Sequence, residues 1–284
     1  MKKIFFLLFL NIIMVSAFSQ EKPAYQIYNA QGEKVSYGKM LKALTDKEVI
    51  LFGELHNNAI SHWLQYEVTS ALSAQKKLIL GAEMFEADNQ NQLNDYLKGT
   101  IDAKALKSTA RLWPNYATDY APLVDLAKEK QLSFVATNIP RKYANLVYKN
   151  GFGVLDSLPE QEKVWIAPLP ITFDAELPTY KNILKMMGEH GSDLLVKAQA
   201  VKDATMAHFI LKNYQKDHVF IHYNGAYHSD RYEGILWYLK RENSKLKYGT
   251  ISTVSQENIN QLSKENLNLA DFIICVDSNM TNTY

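Results

Sequence analysis

Between Glu48 and Asn58 the chain passes from an unbroken apolar run, Val49-Ile50-Leu51-Phe52, into Gly53-Glu54-Leu55-His56-Asn57-Asn58. A short run rich in β-branched and aromatic residues predicts a strand covered on both faces. After Asn58 the apolar residues Ile60, Trp63, Leu64, Val68, Ala71 and Leu72 recur at helical spacing, and Asn58 is placed to cap that helix. Glu54 and His56 then fall at the carboxyl end of a central strand, where open α/β sheets put their ligand sites.

The same alternation of apolar runs and helical patterns continues along the chain. Further core strands are predicted at 77–85, 132–138, 218–223, 248–254 and 272–276, with a possible edge strand at Tyr25-Gln26-Ile27-Tyr28 inside a polar lead-in over 20–46. Helices are predicted at 58–75, from Arg141 to Asn150-Gly151, at 192–214 and at 234–241. Residues 88–130 hold helical patterns with no strand between them, interrupted at Trp113-Pro114-Asn115-Tyr116 and Asp119-Tyr120-Ala121-Pro122. Residues 155–191 are rich in proline and weakly periodic. This order implies an α/β fold with a mostly parallel central sheet flanked by helices. Segments 88–130 and 155–214 are expected to supply a helical cap over its carboxyl edge. No flexible linker divides residues 20–284, so one domain is expected.

Residues 1–19 have the form of a secretory leader: Lys2 and Lys3, an apolar stretch from Ile4 to Val15, then Ser16-Ala17-Phe18-Ser19. The expected location is therefore across the inner membrane, periplasmic or extracellular. No cysteine stands near the cleavage region to carry a lipid anchor. The formal charge of +1 becomes −1 without Lys2 and Lys3, which gives no electrostatic case for nucleic acid. The single cysteine, Cys275, sits in an apolar run and reads as core.

Three strand ends carry acid or imidazole groups: Glu54 with His56, Glu83 with Glu86, and His222 with His228. Such sets suit a divalent metal such as Mn, Co or Zn, or acid–base catalysis in which a carboxylate orients a histidine. Each residue also has a structural reading. Glu83 can pair with Arg141. His222, inside a strand, reads as a satisfied core histidine. His62 can line the pocket or lie on the surface. His190, His208 and His218 are assigned no role, and Trp113, Tyr116 and Tyr120 can be packing or a cofactor box. A thiol nucleophile, a Gly-x-Ser-x-Gly elbow and a phosphate loop have no support in the sequence.

Five motifs in order complete the pattern: Gly53-Glu54-x-His56-Asn57-Asn58, Gly81-Ala82-Glu83-Met84-Phe85, Ala136-Thr137-Asn138-x-Pro140-Arg141, Gln199-x-x-x-Asp203-Ala204-Thr205-Met206-Ala207 and Asn224-Gly225-Ala226-Tyr227-His228. In these the chain resembles the ChaN-like haem-binding uptake proteins, of the superfamily that includes the Tiki metalloproteases, TraB proteins and erythromycin esterases. The resemblance implies an α/β core with a helical cap and a role in haem or iron acquisition. It also implies haem at a homodimer interface, with iron held by tyrosine or histidine, and an outer-membrane haem receptor as a possible partner. For this chain it makes Tyr116, Tyr120, Tyr223, Tyr227, His62 and the Met186-Met187 segment candidates for haem contact, with Arg141 for a propionate. The hydrolytic members of the superfamily imply an alternative. Glu54, His56, Glu83 and His228 would then serve a divalent-metal-dependent hydrolase of esterase or peptidase type.

Overall fold

The computed structural model of the protein describes residues 22–188 and 191–284. The expected leader and His190 lie outside the described residues.

Eight strands are formed: β1 (Tyr25–Asn29), β2 (Lys34–Val35), β3 (Val49–Glu54), β4 (Lys77–Glu86), β5 (Ser133–Asn138), β6 (His218–Gly225), β7 (Tyr248–Gln256) and β8 (Phe272–Asp277). The α-helices are α1 (Tyr37–Leu44), α2 (Ala59–Ser73), α3 (Gln90–Lys98), α4 (Ala103–Thr109) and α5 (Ala121–Glu129). They continue with α6 (Arg141–Asn150), α7 (Glu160–Lys163), α8 (Pro178–Met187), α9 (Asp193–Asn213) and α10 (Ile235–Glu242). The strands make one sheet in the order β2-β1-β8-β7-β3-β6-β4-β5. From β8 to β5 every pairing is parallel, and β1 and β2 add an antiparallel edge. The α/β class expected from the apolar runs is the one observed.

β3 is buried at all six positions because helices cover both faces of the sheet. Alternation along the strand sends Ile50 and Phe52 into the core under α2, α3 and α5. Val49 and Leu51 enter the opposite core with Val201, Ile210 and Leu239 from α9 and α10. Replacing a side chain such as Phe52 with alanine removes about 3–5 kcal/mol of such packing.

The polar lead-in is more ordered than its composition suggests. Ser36 caps α1 by accepting from Lys39 N–H at 3.2 Å, and Met40 and Leu44 are fully buried. β1 is not the edge strand, because the two residues of β2 pair outside it. At the other edge Gln90 completes β5 as a neighbouring strand would. Its Nε2 donates to Phe134 O at 2.9 Å, and its Oε1 accepts from Ala136 N–H at 2.7 Å.

The two segments expected to form the cap divide their work. α3, α5 and most of α9 flank the sheet. The parts that reach the carboxyl edge are Trp113–Asn115, the first turns of α8 and the Gln199–Lys202 turn of α9. α9 lies between the sheet and the outer helices, and 11 of its 21 residues are buried. Within it Asp203 is completely buried.

Candidate functional site

The carboxyl ends of β3, β4 and β6 open into a cleft of about 1190 Å³. Parallel pairing sets Glu54 beside Gly225, and Ala82 beside Tyr223, so the residues that end these strands share one rim.

Glu54 is buried, and both its oxygens are engaged. Oε1 accepts from Tyr120 Oη at 2.7 Å and from His56 Nδ1 at 2.9 Å, and Oε2 accepts from Gln65 Nε2 at 2.6 Å. His56 is therefore held by one ring nitrogen while Nε2 faces the cleft. Its main-chain oxygen accepts from Asn115 Nδ2 at 2.8 Å, and its ring meets Trp113 edge-on at 4.9 Å. Burial works against the charge of the His56 ring, but the hydrogen bond to Glu54 and the Glu83 carboxylate outweigh it and raise the pKa.

Glu83, Asp203 and His228 form a second, connected group. His228 Nδ1 lies 2.5 Å from Asp203 Oδ1, and Nε2 lies 3.2 Å from Glu83 Oε1. Glu83 Oε2 accepts from Gly225 N–H at 2.7 Å, and Asp203 Oδ2 accepts from Tyr180 Oη at 3.0 Å. Burial opposes the His228 charge, yet the two carboxylates overcome it and push the ring up to about 10. For Glu83 burial is also overcome, by His228 and His56, and its carboxyl is held well below the usual range. For Asp203 burial prevails and raises the carboxyl. Two acids share one imidazole ring, with Glu83 shifted down and Asp203 shifted up.

Gly225 lets the two groups approach. A Cβ there would lie 2.7 Å from His56 Cε1 and 2.8 Å from its Nε2, with Glu83 Oε2 at 3.5 Å. Only a residue without a side chain fits between them.

These contacts decide the fit of a divalent metal. A metal ligand must turn a lone pair to the ion, and an imidazole ligand must be unprotonated at that nitrogen. Here both His228 nitrogens face carboxylates, and the oxygens of Glu54 and Glu83 are engaged with protein donors. Among the described residues no group of three or more His, Cys, Asp or Glu side chains is arranged to hold an ion. The expected set Glu54, His56, Glu83 and His228 is brought together, but as two hydrogen-bonded clusters and not as a cage.

The candidates for haem contact are scattered by comparison. Tyr227 stands at the rim, 45% exposed, with its hydroxyl 3.3 Å from Met186 Sδ. Tyr120 is buried with its hydroxyl spent on Glu54, and burial together with that carboxylate raises its pKa strongly. Tyr223, on β6, is buried in the core against α2 and shares a hydrogen bond with Thr69 Oγ1. Tyr116 packs edge-on against Phe85 in the core beneath α5. His62 lies neither on the surface nor in the cleft. Its Nε2 is 3.1 Å from His56 O, so it supports the loop behind His56. Arg141 is exposed at the start of α6 and does not line the cleft, and Glu83 pairs with His228 instead of Arg141. Glu86 turns outward to Arg111. His222 is the core histidine expected: its Nε2 is 2.7 Å from Thr137 Oγ1, its Nδ1 is 3.1 Å from Asn224 Oδ1, and burial lowers it to about 4.

The cleft also contains residues to which the sequence pattern assigns no role. Asp203 and Gln199 belong to the fourth of the five motifs, where the pattern alone gives them no function. The available signal was an acid at a helix position flanked by Ala200, Met206 and Ala207. Lys202, Asp230 and Arg231 also line the cleft. Burial raises Asp230 to about 7 although Ser252 Oγ donates to it at 2.6 Å. Arg231 holds a left-handed backbone at φ 58°, fixed by its N–H donating to Leu269 O at 2.7 Å.

Fold and cleft together define a mostly parallel α/β protein whose cleft sits above the strand ends beside paired Glu–His clusters. Residues 40–239 match the model of the family described as haem-binding uptake, Tiki superfamily, ChaN, and the chain belongs to that family. Among solved structures it is similar to one described as cofacial haem binding to ChaN of Campylobacter jejuni. That match has a TM-score of 0.67 and 18% identity, over 88% of this chain and 96% of the other. A succinoglycan biosynthesis protein matches with a TM-score of 0.52 and 10% identity, over 84% of this chain and 90% of the other. The type III effector HopBA1 matches with a TM-score of 0.50 and 11% identity, over 85% and 93%. At these identities the likeness is one of fold. No curated protein matches the sequence.

Proposed function

We propose that this protein binds haem in the carboxyl-edge cleft and serves haem or iron uptake outside the cytoplasm. The observation that carries the reading is Tyr227, the one of the four candidate tyrosines that lines the cleft. The residues present fit such a ligand. The cleft is large enough for a porphyrin, Trp113, Ile183 and Leu269 offer apolar surface, and a phenol stands at the mouth. Bound haem would supply a ferric iron that a phenolate can ligate. Tyr227 would hold it at the rim, and His56 Nε2 faces the same space. Met186 and Met187, 62% and 44% exposed, extend an apolar rim beside Tyr227, which supports a homodimer closing over the ligand. The leader pattern of residues 1–19 supports export, and an outer-membrane haem receptor is the partner this role implies.

The test is a hemin titration of the protein lacking residues 1–19. The expected result is a shifted Soret band that saturates at a fixed stoichiometry. No shift, or a shift that never saturates, sinks the reading.

A second reading has its own observation. Glu54 pins His56 Nδ1 and leaves Nε2 open to the cleft, which is the geometry of a general base. Hydrolysis here would run by proton transfer at His56 Nε2 beside the His228 imidazolium. It would survive chelators and be lost in His56→Ala. Chelator-sensitive hydrolysis would contradict it.

A further inference from the structure

The walls of the cleft differ in charge. Glu54 and Glu83 stand at its base, and Asp230 and Glu265 stand on the side of β7 and β8. The corner between α8 and α9 is lined by Thr179, Asn182, Gln199 and Lys202. The acids nearest that corner are already committed. Asp203 is bound to His228 and Tyr180, and Glu233 Oε2 accepts from the Thr179 N–H at 2.7 Å.

Thr179 is 4% exposed, and its Oγ1 is buried without any hydrogen-bond partner. A buried hydroxyl left unpaired is costly, and it marks a position that a ligand oxygen would satisfy. Lys202 adds charge. The lysine and arginine ion pairs among the described residues are made by Lys22, Arg111, Lys130, Lys142, Lys163 and Lys181, and Lys202 is in none of them. Asn182 Nδ2 has only a thioether, Met186 Sδ, at 3.5 Å. Gln199 Nε2 lies 3.0 Å from His228 Nδ1 and 3.3 Å from His228 Nε2, so this side chain covers the ring beside the corner.

We propose that this corner is a carboxylate-binding subsite, with Lys202 as the charge and Thr179 Oγ1 as the buried donor. Asn182 Nδ2 adds an amide donor to the wall. The assignment rests on the haem reading, in which the group held is a propionate. It replaces Arg141, which does not reach the cleft. Lys202 sits one residue before Asp203, so the helix that fixes the His228 imidazolium also fixes the propionate partner.

The experiment compares hemin with its dimethyl ester, which has the same ring and iron but no carboxylates. Wild type is expected to bind the ester about tenfold more weakly than hemin, as loss of a charged hydrogen bond implies. Lys202→Met should weaken hemin by a similar factor and leave the ester unchanged, while Lys202→Arg should keep most of the preference. Thr179→Val should reduce hemin affinity by a smaller factor, again without affecting the ester. Equal affinity of wild type for both ligands overturns the assignment alone, as does Lys202→Met weakening both equally. Absence of saturable hemin binding by wild type overturns the haem reading and this assignment with it. Unchanged circular dichroism and melting of the Lys202 variants separates these outcomes from misfolding.

Discussion

Asp203 Oδ1 lies 2.5 Å from His228 Nδ1 in the interior of the protein, behind a ring whose other nitrogen faces Glu83. The pairing sets both ring nitrogens of His228 against carboxylates, which raises its pKa and fixes the ring in the floor of the cleft.

Removing the rear carboxylate should therefore change stability in a pH-dependent way. His228 has a folded pKa of about 10 against an ordinary value of 6.5. Its contribution is fully present below pH 6.5 and is lost as pH rises toward 10. Glu83 is shifted downward, so its contribution is present above its ordinary value of 4.5 and lost as pH falls below it. Asp203→Asn should cost about 3 kcal/mol near pH 6 and should flatten the alkaline loss. Urea unfolding at pH 6, 8 and 10 checks this. A variant with the wild-type slope between pH 6 and 10 would show that His228 does not depend on Asp203.

Glu54 acts on His56 as Asp203 acts on His228, but from one side only. In Glu54→Gln the burial that disfavours a charged ring and the opposing Glu83 charge remain, while the hydrogen bond to a carboxylate and the Glu54 charge are gone. The His56 pKa should fall below its wild-type value. An NMR titration of the His56 ring protons reads the change directly, and an unmoved or rising midpoint contradicts the assigned contact.

Tyr227 and Tyr120 give opposite expectations for the same substitution. Tyr227→Phe should lower hemin affinity by about tenfold or more and abolish the phenolate charge-transfer band, with melting unchanged. Tyr120→Phe removes a buried hydrogen bond to a carboxylate and should cost about 1.5–3 kcal/mol of stability. The spectrum of its hemin complex should stay that of wild type. The reverse pattern would place the iron at Tyr120.

These contrasts show where the sequence was legible. Val49 to Glu54 announces a strand because both faces are covered, so burial is written into every position, and the polar residues that follow have nowhere to go but the strand end. Gly53-Glu54-Leu55-His56 and Gly225-Ala226-Tyr227-His228 were found for that reason. The partners were hidden because they come from elements whose periodicity says only that they are helical. Asp203 is 25 residues from His228 along the chain, and Tyr120 is 66 from Glu54. Arg141 failed as a propionate partner because α6 starts beyond the edge strand β5, outside the cleft. The lead-in hid α1, whose buried stripe is only Met40 and Leu44.

Gly225→Ala tests the closeness of the two clusters. The new methyl would sit 2.7 Å from His56 Cε1, a distance at which something must move. The ring is the part able to move, so the expected cost is about 1–3 kcal/mol, with His56 displaced and its hydrogen bond to Glu54 broken. A crystal structure of the variant with His56 in its wild-type position would refute this.

The final relationship joins the far end of the described chain to the loop that carries His56. Thr283 N–H donates to Asn57 O at 2.9 Å, and Thr283 Oγ1 donates to Asp119 Oδ2 at 2.7 Å. Asn58 bridges to Asn282, and Tyr284 lines the cleft while remaining 73% exposed. Residues 281–284 are all exposed, so polar contacts hold them with little apolar burial behind. A segment held in this way opens independently of the core. Thr283→Val deletes the Asp119 contact and should cost about 1 kcal/mol locally, which is a fivefold rise in amide exchange at Thr283 and Asn58. Exchange in β4 and β6 should not change. If protection falls across the whole sheet instead, these residues belong to the cooperative core and do not form a separable edge of the cleft.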